Sequence, residues 1–287
     1  MRFDDAQTLR WRNGAPPPTI DGSRLPGFDV TYCVATLLDE GLVFLSDSRT
    51  NAGVDNISTF RKMTVFERPG DRVLVLLTAG NLAISQSVVS LLREHLETPE
   101  PELNLLTAQN LFEAARCIGD AIRKVHDRDA PALKEHGLEF TASFILGGQI
   151  GREAPRLFQI YSAGNFIEAT RETPYFQIGE FKYGKPIIDR IVRPETTLRD
   201  AAKCVLISMD STIRSNLSVG LPLDLAVYRR DTLELGTRVG IDSDDEYFRM
   251  VRTRWGESLR QAFREMPDPE WPLERPATPR MTTIKTR

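Results

Sequence analysis

Two runs of β-branched and large apolar side chains, residues 31–38 and 41–47, flank Asp39-Glu40-Gly41, a stretch with the chemistry of a tight turn. Such a pattern folds as a β-hairpin. Folding the chain about residues 39–41 sets Thr31 opposite a residue between 47 and 50, so Asp47 is expected at the same end of the hairpin as Thr31. Next comes Thr50-Asn51-Ala52-Gly53-Val54-Asp55-Asn56, a polar stretch suited to irregular backbone. Phe60-Arg61-Lys62-Met63-Thr64-Val65-Phe66 then reads as a returning strand that could bring Lys62 between the other two.

Threonine, aspartate and lysine in that order suit one kind of chemistry. A hydroxyl is a poor nucleophile until a base takes its proton, and a free α-amine, with a pKa of about 7.7–8.0, is a base poised near neutrality. If Thr31 were a chain terminus it would carry nucleophile and base on one residue. A lysine ammonium beside that amine would lower its pKa by like-charge repulsion, and Asp47 would hold the lysine. The branched Cβ of threonine restricts its rotamers and so fixes the direction of Oγ1. Thr78-Ala79-Gly80-Asn81 ends the apolar run Val73–Leu77 and precedes a helical pattern, which makes the Gly80 N–H a candidate oxyanion donor. Each residue also has an ordinary structural reading: a threonine in a strand, an aspartate capping a turn, a lysine facing water.

The strings Thr31-Tyr-Cys-Val-Ala, Leu45-Ser-Asp47-Ser-Arg-Thr-Asn-Ala-Gly53-Val-Asp, Ile57-Ser-Thr-Phe-Arg-Lys62-Met and Thr78-Ala-Gly80-Asn resemble the N-terminal part of proteasome-type β subunits. They are closer still to Anbu, the bacterial proteasome-related branch of the N-terminal-nucleophile hydrolases. The resemblance extends through Tyr161-Ser-Ala-Gly164-Asn and the segment Ser208 to Gly220, covering most of residues 31–265. It implies that Thr31 is the nucleophile, Asp47 and Lys62 its partners, Gly80 the oxyanion glycine and Ser218 an aligning residue. Two departures stand out: Ala163 and Ser215 occupy places where proteasome subunits carry a serine and an aspartate that support the nucleophile, which puts activity towards ordinary peptides in question. The resemblance further implies an α+β fold, a four-layer αββα sandwich, and self-assembly into rings or ring-like helical stacks.

The expected activity is therefore threonine-type peptidase chemistry on a peptide or protein substrate, with no cofactor. An amidase or acylase of the same superfamily, or a catalytically weak ring scaffold that binds peptides or partner enzymes, are the alternatives. Residues 1–30, with Pro16-Pro17-Pro18 and several glycines, read as a flexible leader without the apolar run of a signal peptide. The Thr31 amine could be freed by self-cleavage after Val30, or translation could start at residue 30 through a GUG codon. The second is preferred, because the resembled branch generally lacks a propeptide. Residues 266–287 read as a mobile tail.

At 287 residues and 41% hydrophobic, the chain has enough apolar material for one large domain, expected over 31–265. A net charge of −3 leaves no basic footprint for nucleic acid, and there is no membrane-spanning run. Cys33, Cys117 and Cys204 are odd in number and lie in apolar-periodic segments, so buried reduced thiols and a cytoplasmic location are expected. His95, His126 and His136 show no metal-ligand spacing.

Further elements follow from periodicity: helices over Ala83–Leu96, Leu105–Val125 and Thr197–Met209, and strands over Phe140–Gly147, Arg156–Ser162 and Leu223–Arg229. A last helix over Tyr247–Phe263 has a capping box at Ser243-Asp244-Asp245-Glu246. Asp210 reads as a helix cap, Arg214 as either an aligning residue or a subunit contact, and residues 175–185 as a surface loop or subunit contact.

Overall fold

A computed structural model describes residues 31–51, 57–97 and 103–271. Residues 1–30 and 272–287, where a leader and most of a tail were expected, and residues 52–56 and 98–102 lie outside the described residues. The opening hairpin is formed by β1 (Tyr32–Leu38) and β2 (Gly41–Asp47), and β3 (Arg49–Asn51) and β4 (Ile57–Thr59) pair as a small ribbon. Next are β5 (Met63–Arg68), β6 (Arg72–Gly80), α1 (Leu82–Glu97), α2 (Leu111–Glu135), β7 (Ala142–Ile150), β8 (Arg156–Ile160) and β9 (Phe166–Glu168). The chain closes with β10 (Tyr175–Gly179), α3 (Lys185–Ile191), α4 (Leu198–Ser215), β11 (Leu223–Arg229), β12 (Thr237–Ile241) and α5 (Glu246–Glu265).

Two antiparallel five-stranded sheets result, ordered β10-β1-β2-β11-β12 and β5-β6-β7-β8-β9. Side chains alternate across each strand, so every sheet offers one face to its partner sheet and one to helices. Leu42, Phe44 and Tyr228 of the first sheet meet Val73, Val75 and Ile145 of the second. On the outer face of the second sheet, Leu74, Leu76 and Phe158 pack on Ile84, Val88, Ile118 and Ile122 of α1 and α2. On the outer face of the first, Tyr32, Val34 and Leu45 pack on Ile188, Val205 and Met209 of α3 and α4 and on Phe248 of α5. These three apolar layers make the expected αββα sandwich.

Local side-chain chemistry moves several boundaries. Asn104 accepts the N–H groups of Leu106 (2.8 Å) and Thr107 (3.1 Å), closing a turn that delays α2 until Asn110 caps it by accepting from Glu113 N (2.9 Å). The helix expected from Leu105 therefore starts at Leu111, and it continues through Pro131 to Glu135 instead of ending at Val125. β7 runs on past the expected end at Gly147 through Gly148-Gln149-Ile150, with Gly147 lying beneath the Phe44 ring between the sheets. The cap of α5 is Asp245, which accepts from Phe248 N at 2.6 Å, one residue before the helix and not at Ser243. Part of the polar stretch after Thr50 belongs to the β3–β4 ribbon.

Residues 175–185 are the largest correction. Tyr175–Gly179 is no surface loop but the strand that pairs with β1, and Phe181–Tyr183 forms a single 3-10 turn leading into α3. Gln177 on this strand donates to the Tyr32 hydroxyl (2.5 Å), which also shares a hydrogen bond with Ser208 of α4 (2.5 Å). An aromatic, basic composition had hidden a period-2 pattern of only five residues.

Candidate active site

Thr31 leads directly into β1 and is 4% exposed. Its carbonyl accepts the N–H of Glu180 (2.7 Å), and Gly179 closes over that carbonyl at φ +78. A Cβ on Gly179 would lie 1.9 Å from the Thr31 oxygen, so only glycine allows the strand pair to seat Thr31 here. The register pairs Cys33 with Ser46, which places Tyr32 level with Asp47. Asp47 ends β2 with no exposed surface; its Oδ1 accepts the Tyr32 N–H (3.1 Å), and its Oδ2 holds Lys62 Nζ at 2.9 Å.

Lys62 stands immediately before β5, 5% exposed, and also donates to the Arg49 carbonyl at 2.6 Å. Its own carbonyl accepts from Thr78 N (3.0 Å), tying it to the strand that ends in Gly80. Asp47 thus joins the first residues of β1 to the lysine. Burial pushes its carboxyl up from the ordinary value to about 6, against the lowering pull of the Lys62 ammonium and of N–H donors from Tyr32 and Gly220. The carboxylate is therefore ionised above about pH 6 and holds the lysine there. Burial also raises the Cys33 thiol far above its ordinary value, and Cys117 and Cys204 rise to about 11 and 12 for the same reason, so these buried free thiols are inert.

Gly80 closes β6 at φ +99, where a Cβ would meet the Thr141 carbonyl at 2.6 Å. Asn81 then caps α1, its Oδ1 accepting from Ala83 N at 2.9 Å. The strand end, the glycine and the start of a helix fall together at the Lys62 end of the second sheet. Beside them lies a cleft of about 460 Å³, whose lining includes Phe60, Thr64, Thr78, Leu82 and Gln86 together with Arg61, Arg93 and Arg238.

Ser218 is placed differently from Thr31, Asp47 and Lys62. Its hydroxyl and its N–H both donate to Asn216 Oδ1, at 2.5 and 2.9 Å. Asn216 follows α4, beside Ser215, which ends the helix exposed. The side chain of Arg49 lies against Gly220 and donates to the Leu217 carbonyl (3.2 Å), so this loop is pinned to the residue whose carbonyl holds Lys62. Asn216, Arg49 and Gly179 were missed from sequence; a glycine after a period-2 run was the one usable signal, at Gly179. Ala163 lies in the turn after β8, its carbonyl 3.4 Å from the Arg123 guanidinium of α2.

Asp210 is no cap. α4 runs past it to Ser215, and its buried carboxylate takes Arg214 on Oδ2 (2.9 Å) and Arg252 of α5 on Oδ1 (2.7 Å). Arg214 is thereby paired within the chain while more than half of its side chain stays exposed. Among the described residues no cluster of three His, Cys, Asp or Glu is placed to hold a metal ion, and no helix is long and apolar enough to cross a membrane.

No family model and no curated protein matches the chain. Solved structures do. A Gly-1 mutant of Anbu from Hyphomicrobium sp. strain MC1 is 53% identical, covering 84% of this chain and 100% of its own, with a TM-score of 0.79. Anbu from Yersinia bercovieri, described as an ancestral β-subunit, is 52% identical with the same two coverages and a TM-score of 0.79. The Anbu complex of Pseudomonas aeruginosa, a helical assembly, is 48% identical over 83% of this chain and 98% of its own, also with a TM-score of 0.79. With the sandwich fold and the threonine, aspartate and lysine gathered at one end of the paired sheets, this likeness makes the chain a member of the Anbu family of proteasome-related N-terminal-nucleophile hydrolases.

Proposed function

We propose that this protein is a threonine-type peptidase that hydrolyses amide bonds from a Thr31 freed at its amine. The observation that carries the reading is Asp47, a buried carboxylate that links the N–H following Thr31 to the Lys62 ammonium. In this reading Thr31 Oγ1 bonds to the substrate carbonyl carbon while its proton passes to the Thr31 amine. The Gly80 N–H receives the charge developing on the carbonyl oxygen. As the C–N bond breaks, the leaving amine takes the proton, and water then adds to the acyl carbon to release acid and restore the hydroxyl.

The cleft beside Thr78 suits the side chain next to the scissile bond. Its lining carries three arginines and no carboxylate, which favours an acidic or polar substrate group over a purely aliphatic one. Self-association into a ring or helical stack completes the proposal, in keeping with the helical assembly of the Pseudomonas relative. Leu259 and Phe263 on the second half of α5, and Met266 just past its end, are exposed, an apolar stripe of the kind that subunit contacts cover. A cytoplasmic location accords with the free thiols.

A second reading, a ring scaffold of weak catalytic power, is favoured by the turning of the Ser218 hydroxyl onto Asn216. A fluorogenic peptide panel with acidic, polar and aliphatic side chains, run beside small amides, separates the possibilities. Turnover of peptides that disappears in Thr31→Ala supports the peptidase. Turnover of small amides alone moves the assignment to an acylase, and no turnover of either supports the scaffold.

A further inference from the structure

The row of residues next to the site along the first sheet carries an unexplained pair of polar groups. Strand register sets Cys33, Ser46, Asp224 and Gly240 in one line across β1, β2, β11 and β12. Ala35, Phe44 and Ala226, two residues along each of the first three strands, face the second sheet, so by alternation this line faces it too. Ser46 is fully buried and Asp224 is 5% exposed. Neither the Ser46 hydroxyl nor Asp224 Oδ2 has a hydrogen-bond partner among the described residues. Buried polar atoms are satisfied as a rule, and a hydroxyl facing a carboxylate across paired strands suits a molecule that can both accept and donate. At its β12 end the line reaches solvent, since Gly240 is exposed and a Cβ there would meet nothing within 4 Å.

This line also lies close to the reacting end of the molecule. Cys33 donates to the Thr78 carbonyl (3.5 Å), and Thr78 in turn donates to Lys62. Beyond burial, which dominates, the Cys33 sulfur feels Asp47, Lys62 and Asp224 together, the two carboxylates raising its titration and the ammonium lowering it. We propose that Asp224 is a positioning residue of the Thr31 centre: with Ser46 it holds an ordered water between the sheets, and the negative charge kept there steadies the Lys62 ammonium. The proposal rests on the hydrolase reading given above. Besides Asp224, the charged groups that act on the Cys33 sulfur of this line are Asp47 from the end of β2 and Lys62 from just before β5, and Arg238 lies two residues from Gly240 on β12.

Crystal structures of the wild type, Asp224→Asn and Ser46→Ala, with the pH dependence of Thr31 acylation by a β-lactone in each, test this. Expected are a water between Asp224 and Ser46 that disappears in Ser46→Ala, and an Asp224→Asn profile displaced to lower pH by about 0.5–1 unit. The displacement is downward because removing a negative charge disfavours the protonated forms of Lys62 and of the Thr31 amine. Dry space in the wild type, or an Asp224→Asn profile that superimposes on the wild type while the protein melts normally, overturns the proposal. A wild type that takes no adduct at all brings down the hydrolase reading and the positioning role with it, leaving the water site to be judged by electron density alone.

Discussion

Asp47 and Asp210 are both buried carboxylates paired with cations, yet they are used in opposite ways. Asp210 sits between helices and gives both oxygens to guanidinium groups, one from its own α4 and one from α5. Asp47 sits at the end of a strand, gives one oxygen to a backbone N–H and the other to a lysine, and adjoins a threonine. Arginine stays charged at every working pH and forks onto a carboxylate, so it suits a permanent clamp. Lysine is a point charge whose protonation responds to its surroundings, and the Asp47 carboxyl itself is raised to about 6. The α4 site holds two helices together; the β2 site joins two strands and a lysine through a carboxyl raised to about 6.

The sharpest way to break this contrast is to remove the lysine. Lys62→Met should lower the rate of Thr31 acylation by about 10²- to 10⁴-fold, the usual worth of a positioned acid–base group. Time-resolved intact mass with a β-lactone reads it. An effect under tenfold would make Lys62 a structural residue like the arginines. Asp210→Ala should do the reverse. It leaves Arg214 and Arg252 unpaired, but their side chains are 55% and 33% exposed, so the loss is about 2–3 kcal/mol. That corresponds to a melting point roughly 5–10 °C lower, with acylation kept.

Gly80→Ala probes the strand end that the proposed oxyanion donor occupies. At φ +99, and with a Cβ 2.6 Å from a carbonyl, alanine should cost about 1–3 kcal/mol and slow acylation as well. A stable, fully active variant would remove Gly80 from the site.

The smallest expected effect is in pH dependence. Acylation should rise through an acid limb near pH 6, where Asp47 ionises, and Asp47→Asn should flatten it. Stability runs the other way. Between the ordinary carboxyl value and about 6, the folded chain keeps a proton that the unfolded chain has released. The Asp47 contribution to stability is therefore fully present below the ordinary value and is lost as pH rises to about 6. Thermal melts of wild type and Asp47→Asn across pH 4–8 measure the difference, and parallel melting curves would show that Asp47 titrates as it does in the unfolded chain.

The hairpin could be read from sequence because its signal is local: two alternating apolar runs and a turn fix the register, and the register sets Asp47 level with Tyr32. β11 was equally plain, Leu223–Arg229 being the strand found. The elements that escaped depend on distant partners. β10 is short and half-buried and exists because β1 offers it an edge, while Gly179 is required only because the Thr31 carbonyl comes within reach. Asp210 looked like a cap because the arginine that completes its clamp comes from α5, far along the chain. Asn216 likewise gained meaning only once Ser218 folded back onto it.

Treatment with an epoxyketone or β-lactone, followed by intact mass and N-terminal sequencing, tests the central claim most directly. The account predicts a mature chain beginning at Thr31, one adduct per subunit on that residue, and none on Thr31→Ala. A purified chain that keeps an amide bond before Thr31 and takes no adduct would contradict it.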